Sequence, residues 1–427
     1  MRVRTRCIIG CSLVVCVIWT SNPSLAQRSG LFQGSADDPA IDYTRGPLDN
    51  PVDALNRRLE SGAARLTFQG RGGYLRSALD AMGLPIDSQT LVFSPASLQG
   101  RRISPANPRA IFFRDDVELG WTRDGEVIEV AAQDARQGVV FYTLAQKEVE
   151  APRFERSASC LGCHMTGDTN GVPGLLMFSS TPESGRPFGS TLFTTPAMPV
   201  ANRFGGWFVT GARPPARHKG NDVAALEGRS RALTSTDGLF DADGYLSKAS
   251  DVAALMVLAH QVHTINLMIR AGWEARAADP ALHPGRPAGG EALLAPVLRA
   301  LAEDVVDGLL FIDEARIDGR IEGASGFTQR FAARGPLDHR GRSLRQLDLT
   351  RRLMRYPCSY LIYSPMFDAL PATMKELIYA RMWQVLSGAD SDVRYRRALT
   401  LADRRAVVEI PRETRSGLPA YFTRVTE

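Results

Sequence analysis

The segment SASCLGCHMTGDTNG, residues 157–171, places Cys160, Cys163 and His164 in the order C-x-x-C-H. Four chemistries use these residue types at this spacing: covalent haem attachment, a structural zinc site, a redox-active dithiol and a plain disulfide. With six Cys and six His in 427 residues, chance produces this arrangement in roughly one sequence in a thousand. The motif is therefore the strongest functional feature of the sequence.

Covalent haem attachment is the interpretation that uses all three side chains. A two-residue spacer places the thiols of Cys160 and Cys163 one helical turn apart, where they can add to the two vinyl groups of haem. The next residue, His164, then lies beneath the iron as its proximal ligand. We therefore expect one covalently bound haem c at this motif.

The three other chemistries fit these residues less well. Structural zinc needs four closed ligands, and without a second C-x-x-C the site would have to recruit His260 and His263 in an unusual arrangement. A thioredoxin-like dithiol needs a βαβ context, whereas the sequence after His164 is rich in glycine and proline. A plain disulfide between Cys160 and Cys163 is the remaining alternative.

The N-terminal segment predicts export. Three arginines precede an apolar run at residues 7–19, which is too short to span a bilayer, and small residues supply a cleavage site that ends at Ala26. We expect residues 1–26 to be a secretory signal peptide and the mature protein to be periplasmic. This is the compartment in which bacterial c-type haem is attached.

The composition of the mature chain argues against several partners. Cleavage would remove three arginines and no acid, so the formal charge falls by three, from +5 to +2, and gives no reason to expect nucleic acid binding. No later apolar run is long enough for a transmembrane span. The remaining cysteines are too few for a disulfide framework, and Cys358 in RYPCSYLIYS is expected to be a buried free thiol.

The changing pattern of apolar and polar residues along the chain predicts an α+β fold that is mostly helical. A small β-rich unit precedes a cytochrome c-like haem segment, and a large helical region follows it. The expected boundaries are an irregular arm or linker at 27–65, the β-rich unit at 66–150, the haem segment at 151–225 and the helical region at 226–427.

Periodicity predicts the individual elements. Alternating residues around the turn RDG indicate a hairpin, GVVFYTLAQ a third strand and GGWFVTG a short one. The longest helix is expected to begin at an N-cap, Ser250 or Asp251. The expected hairpin strands lie near 110–121 and 126–132, and the other expected helices at 292–311, 344–363, 372–387 and 400–409.

At residues 157–175 the chain resembles the c-type cytochromes. Cys160 and Cys163 match the thioether cysteines, His164 matches the proximal ligand, and TGDTNGVPG looks like the polar loop that follows the motif in small cytochromes c. The blocks NPRAIFFRDDVELGW, GGWFVTG and RYPCSYLIYSPMFDALP are similar to a family of large bacterial proteins with one cytochrome c motif. That family brings no assigned activity.

The chain is larger than an electron carrier needs to be. About 130 mature residues precede the motif and a helical region of about 200 residues ends the chain. A small cytochrome c has neither, so the additional protein predicts a substrate site, a surface that docks a partner, or both.

The group on the other side of the iron decides what a haem does. We expect it to be His260, on the mostly apolar flank of the longest helix, with His218 in the basic loop ARHKGN next. Met198 in TPAMPVAN follows, because a Met before Pro resembles the distal Met of small cytochromes c. His263 falls on the polar side of the same helix as His260. An open distal position is the remaining alternative.

Three functions are compatible with these residues. The first is an exported monohaem c-type cytochrome that exchanges electrons with a redox partner protein. The alternative is a haem c-dependent oxidoreductase, peroxidase- or oxygenase-like, that acts on a small-molecule substrate at an open or weakly ligated distal site. A haem-based ligand binder or sensor ranks last, because no output module is visible.

Overall fold

The structure is a computed structural model that describes residues 35–183, 186–222, 232–279, 281–282, 290–423 and 425, without the side chains of 182–190 and 290–293. The expected signal peptide at 1–26 lies outside these residues. Within them the chain folds into ten α-helices and nine β-strands, so the α+β class is confirmed.

A seven-stranded antiparallel sheet, in the order β6-β5-β4-β3-β2-β1-β9, organises the first half of the fold. The part of the chain between β6 and β9 forms a separate two-stranded hairpin, β7–β8, which does not pair with this sheet. The strands are β1 Thr90–Val92, β2 Arg109–Phe113, β3 Val117–Trp121, β4 Val127–Asp134, β5 Gly138–Ala145, β6 Glu155–Arg156, β7 Phe178–Glu183, β8 Arg186–Phe193 and β9 Trp207–Phe208.

The expected hairpin, third strand and short strand are confirmed, but the first expected strand divides in two. Residues 110–121 form β2 and β3, joined by a turn in which the Arg114 N–H donates to the Val117 carbonyl at 3.0 Å. Asp115 in this turn pairs with Arg345, and Asp116 pairs with Arg114. The alternating pattern continues through the turn, so periodicity alone does not reveal it.

Four of the helices that follow residue 250 pack against one central helix, α4, which begins at the N-cap Asp251 as expected. The expected helices at 292–311, 372–387 and 400–409 are confirmed as α5, α8 and α10. The helices are α1 Pro51–Glu60, α2 Leu75–Met82, α3 Leu161–His164, α4 Val252–Ala277, α5 Gly290–Leu309, α6 Phe327–Ala333, α7 Pro365–Asp368, α8 Ala372–Ser387, α9 Val393–Ala398 and α10 Leu401–Thr414.

Two expectations about helices are wrong. Residues 344–363 form turns that end in a short 3₁₀ segment, because the Asp348 carboxylate accepts the amides of Thr350 and Arg351 and Leu349 adopts a positive φ of 54°. The arm at 27–65 is not irregular throughout, since it contains α1. Asn50 caps that helix, and the proline that follows suits its first turn.

The cytochrome c-like haem segment expected at 151–225 is not confirmed as such by the fold. Its described residues form β6, the four-residue helix α3, the hairpin and β9. Buried apolar side chains from the sheet, from α2 and from α4, α5 and α8 belong to one core. The expected boundaries therefore separate segments of a shared core.

Helix α4 is long and apolar enough to cross a membrane by length and composition alone, among the described residues. Of its most apolar stretch, 89% is buried inside the protein. A core helix of a globular domain meets the same length and composition criteria, and it is mostly buried.

The two faces of the sheet differ in exposure. Phe112, Leu119, Val130 and Tyr142 are paired across β2–β5 and are all buried. On the other face, which we call the site face, one paired row is Phe113–Glu118–Ala131–Phe141 and the next is Ile111–Gly120–Glu129–Thr143. Ile111, Glu129 and Thr143 are partly exposed, so this part of the sheet is not fully covered.

Candidate functional site

The three motif residues lie in a short helical segment directly after β6. Residues 158–160 form a 3₁₀ turn that runs into α3, which ends at His164. Cys160 is partly exposed, Cys163 is exposed, and both are free thiols. Side chains three residues apart on a helical turn share a face, so the two thiols are available to one bound group.

The imidazole of His164 is oriented by the loop that follows it. Its Nδ1 donates to the carbonyl of Gly174 at 2.9 Å, and the Gly174 N–H donates back to the His164 carbonyl at 2.9 Å. A carbonyl accepts only, so the proton is on Nδ1 and the lone pair is on Nε2. Metal-bound histidines carry the same bond on the nitrogen that does not bind the metal.

The loop between His164 and Gly174 is bonded to α4. The Asn266 amide pairs with Leu175, accepting from its N–H and donating to its carbonyl, each at 2.8 Å. One turn along the helix, Arg270 Nη1 donates to the Asn170 carbonyl at 2.9 Å. Three hydrogen bonds therefore join the helix to the loop that follows the motif, about a hundred residues apart in sequence.

Close packing requires a glycine at position 174. A Cβ there would lie 2.5 Å from Asn266 Oδ1 and 3.0 Å from the Cβ of Thr169. A side chain at 174 would have to displace the group that holds the loop, so the residue identity supports the placement of the carbonyl that orients His164.

His164 rests on the site face of the sheet. Its ring lies 4.5 Å from that of Phe141, centre to centre. Burial lowers the pKa of His164; the bond to Gly174 and the charge of Glu129 oppose this, while Arg109 lowers the pKa further. The imidazole is therefore held in the neutral form, which is the form that binds a metal.

Arg109 and Glu129 form an ion pair across the site face, with Nη2 and Oε2 at 2.9 Å. The guanidinium lies over Gly120 of β3, where a Cβ would come within 2.6 Å of its Cζ. Ser97 Oγ donates to Glu129 Oε2 at 3.2 Å and fixes the carboxylate. Since both charges act on His164, this pair belongs to the surroundings of the motif.

Glu118 lies in the same cross-strand row as Phe141, with only Ala131 between them. Strand spacing places their backbones about 10 Å apart. Burial raises the pKa of Glu118 to about 7, although Arg109 and the Gln261 side chain lower it. Its Oε1 is buried and has no hydrogen-bond partner among the described residues, so the site face carries a buried carboxyl group whose pKa is raised.

The structure gives His260 a role in the core. Its Nε2 bonds to Ser359 Oγ at 2.7 Å, its Nδ1 lies 3.4 Å from Thr264 Oγ1, and its ring stacks on Phe311. Burial lowers the pKa of His260 to about 3. Both ring nitrogens of His260 therefore have hydrogen-bond partners within the protein.

His263 lies on the side of α4 that also carries Asn266 and Arg270, one turn before Asn266. Successive helical residues are rotated by 100°, so His263 is on the opposite side from Gln261, which donates to the Arg114 carbonyl of the sheet. Burial lowers the pKa of His263 to about 4. No cluster of three or more Cys, His, Asp or Glu side chains suited to a metal ion occurs among the described residues.

His218 and Met198 lie in the segment around β9, at the opposite end of the strand order from β6. His218 is buried beside the backbone of Gly220, and burial lowers its pKa. The Met198 carbonyl accepts from Arg203 Nε at 2.7 Å. No described hydrogen bond or ring contact joins either residue to His164, so both assignments as distal ligands stay predictions.

Cys358 is a buried free thiol, as expected from its apolar surroundings. Burial raises the pKa of this thiol to about 12. It is therefore inert near neutral pH, in contrast to the exposed thiol of Cys163.

No protein-family model, curated protein or solved structure matches this chain. The resemblance to c-type cytochromes at residues 157–175 therefore stays an expectation from the sequence.

Sequence reasoning does not identify Arg109, Glu118, Glu129 or Asn266 as parts of the site. Alternation in β2–β4 marks the three charged residues as a solvent-facing side, and only the strand register shows that this side adjoins His164. Asn266 falls on the polar side of its helix, which is the one available signal.

Proposed function

We propose that this chain is an exported, periplasmic monohaem c-type cytochrome that exchanges electrons with a redox partner. Cys160 and Cys163 would carry haem c through thioether bonds, and Nε2 of His164 would bind the iron. The observation that carries the proposal is the 2.9 Å bond from His164 Nδ1 to Gly174, which leaves the Nε2 lone pair free to bind a metal.

The bound haem would supply a one-electron iron couple. The protein's own residues would hold and tune the site. The Gly174 carbonyl fixes the His164 tautomer, Phe141 packs against the ring, and Asn266 keeps the loop in place. Because Cys163 is exposed, a haem attached there would lie at the protein surface, where a partner protein could approach it.

A second function, a haem c-dependent oxidoreductase, is favoured by Glu118. A carboxyl group with a pKa of about 7 on the site face is suited to move protons at neutral pH, which a simple electron carrier does not require. The ferrous protein separates the two functions: a low-spin spectrum unaltered by carbon monoxide favours electron transfer, and a ligand-responsive spectrum favours the oxidoreductase.

Haem attachment is tested by producing the full chain in a bacterial periplasm that contains the c-type maturation machinery. We expect haem to stay on the protein through acid extraction and a denaturing gel. Cys160→Ala and Cys163→Ala should each shift the reduced pyridine haemochrome band, because one vinyl group is then unsaturated. Cys358→Ala is the matched control and should leave the band in place. Complete extraction of haem from the wild-type protein would contradict the proposal.

A further inference from the structure

We propose that Asn266 sets how strongly His164 donates electrons to the iron, and thereby the reduction potential of the haem, through the peptide group that joins Gly174 to Leu175. The Asn266 amide, this peptide group and the imidazole form one chain of hydrogen bonds. The inference rests on the haem attachment proposed above and adds to it a positioning residue on another element of the fold, helix α4.

The continuity of this chain is the first argument. The Leu175 N–H donates to Asn266 Oδ1 at 2.8 Å, and the Gly174 carbonyl accepts from His164 Nδ1 at 2.9 Å. This N–H and this carbonyl belong to the same planar peptide unit, whose C–N bond has partial double-bond character. An acceptor on the N–H therefore increases the negative charge on the carbonyl oxygen, and hydrogen bonds in such a chain strengthen one another.

The orientation of the Asn266 amide is the second argument. Its Nδ2 donates to the Leu175 carbonyl at 2.8 Å, so Oδ1 is the atom that accepts from the Leu175 N–H. The reverse orientation would place two donors together and two acceptors together. Asn266 and Leu175 are both buried, so these two bonds are shielded from bulk water. The polarising acceptor is therefore fixed in place.

The peptide group one residue earlier, between Pro173 and Gly174, is the third argument. The Val139 N–H of β5 donates to the Pro173 carbonyl at 3.2 Å, and the Gly174 N–H donates to the His164 carbonyl at 2.9 Å. The sheet therefore holds this loop independently of α4. Loss of the Asn266 acceptor should weaken the bond to His164 without releasing the loop, so the electronic effect can be separated from the position of the loop.

The consequence for the iron follows from the charge on the imidazole. A stronger hydrogen bond from Nδ1 makes the ring of His164 more basic, so Nε2 becomes a stronger electron donor. A stronger donor stabilises ferric iron more than ferrous iron, because the ferric state carries one more positive charge. Asn266 should therefore lower the reduction potential, and its removal should raise it.

The first measurement uses the full mature chain without haem, in which no iron contributes. The proton chemical shift of the His164 Nδ1–H group reports the strength of its hydrogen bond. We expect Asn266→Leu, which has a similar volume and no acceptor, to move this proton upfield. Asn266→Asp restores an acceptor oxygen and should return it to the wild-type position or further downfield.

The matched control is Arg270→Lys. It keeps the charge and weakens a different bond between α4 and the same loop, the one from Arg270 to the Asn170 carbonyl. Because that carbonyl lies outside the Gly174–Leu175 peptide unit, we expect the His164 proton to stay at its wild-type position.

The second measurement is a potentiometric titration of the haem-loaded protein, followed at the haem absorbance. At the potential where wild type is half reduced, Asn266→Leu should show a ferrous-to-ferric ratio at least about threefold higher. Asn266→Asp should lower this ratio below that of wild type, since it restores an acceptor and adds a negative charge. Arg270→Lys should leave the ratio unchanged.

Each outcome decides one claim. Equal shifts for Asn266→Leu and Arg270→Lys would show that Asn266 only holds the loop, and would overturn the inference. An unchanged potential in Asn266→Leu, or an aspartate variant that behaves like the leucine variant, also overturns it. These results leave haem attachment standing, whereas absence of covalent haem from wild type overturns both claims. If Asn266→Leu fails to fold, Asn266→Asp keeps the test decisive, because a ratio that is not lowered contradicts the inference.

Discussion

The side-chain amide of Asn266 binds both backbone polar groups of Leu175, each at 2.8 Å. Leu175 follows the glycine whose carbonyl orients His164. One buried side chain on the central helix thus fixes the loop on which the proposed proximal ligand depends.

Replacement of Asn266 by alanine should lower the free energy of unfolding by about 2–4 kcal/mol, because two hydrogen bonds are lost and two buried backbone groups stay unpaired. Asn266→Asp keeps the acceptor and loses the donor, so a smaller loss is expected. Urea denaturation measures both. A change below about 0.5 kcal/mol for the alanine variant would show that the two Asn266–Leu175 hydrogen bonds do not stabilise the fold.

Gly174→Ala should destabilise the protein by about 1–3 kcal/mol, because the new methyl group overlaps Asn266 and Thr169. The matched control is Gly162→Ala, inside the C-x-x-C spacer, where an added Cβ has no neighbour within 4 Å. We expect the control to unfold like wild type in a thermal melt. Equal effects of the two substitutions would contradict the packing described around Gly174.

Glu118→Gln should stabilise the protein increasingly from pH 4.5 to pH 7. The folded state keeps a proton on Glu118 up to about pH 7, whereas an ordinary glutamate loses it near 4.5, so this group's contribution to stability falls as pH rises through that window. The gain should reach roughly 3 kcal/mol at pH 7.

Urea titrations at several pH values measure the difference in unfolding free energy between wild type and variant. Other groups that titrate in the same range, such as Glu314, contribute equally to both proteins and cancel in this difference. Glu155→Gln, an exposed change on β6, controls for loss of charge alone. A constant difference across the window would refute the raised pKa of Glu118.

Thiol labelling should distinguish the cysteines. In haem-free protein, Cys163 is exposed and should react quickly, whereas buried Cys358 should react only in denaturant. In the haem-loaded, denatured mature protein only Cys358 should react, because the other two thiols are consumed. Rapid labelling of Cys358 in the native state would contradict its burial.

The sequence predicts those parts of the fold that local patterns determine. Asp251 indicates the start of α4 through its cap, and alternation around Asp124 indicates the β3–β4 hairpin. The helix expected at 344–363 is wrong because the apolar spacing there serves a series of turns held by Asp348. Local periodicity carries no information about such side-chain bonds.

The site divides in the same way. The motif and its polar loop are contiguous in the chain, so the sequence alone reveals them. Arg109, Glu118 and Glu129 share the site face with Phe141, on which His164 packs, only because four strands pair in one register, which the sequence does not specify. The helical wheel correctly places His260 on an apolar flank, but its partner Ser359 lies 99 residues away.

The mass of the denatured periplasmic protein tests the central claim most directly. We expect a chain that begins after Ala26, carries the mass of a single haem on the peptide containing Cys160 and Cys163, and has one free thiol. A chain of unmodified mass with three free thiols, produced alongside an active c-type maturation system, would contradict it.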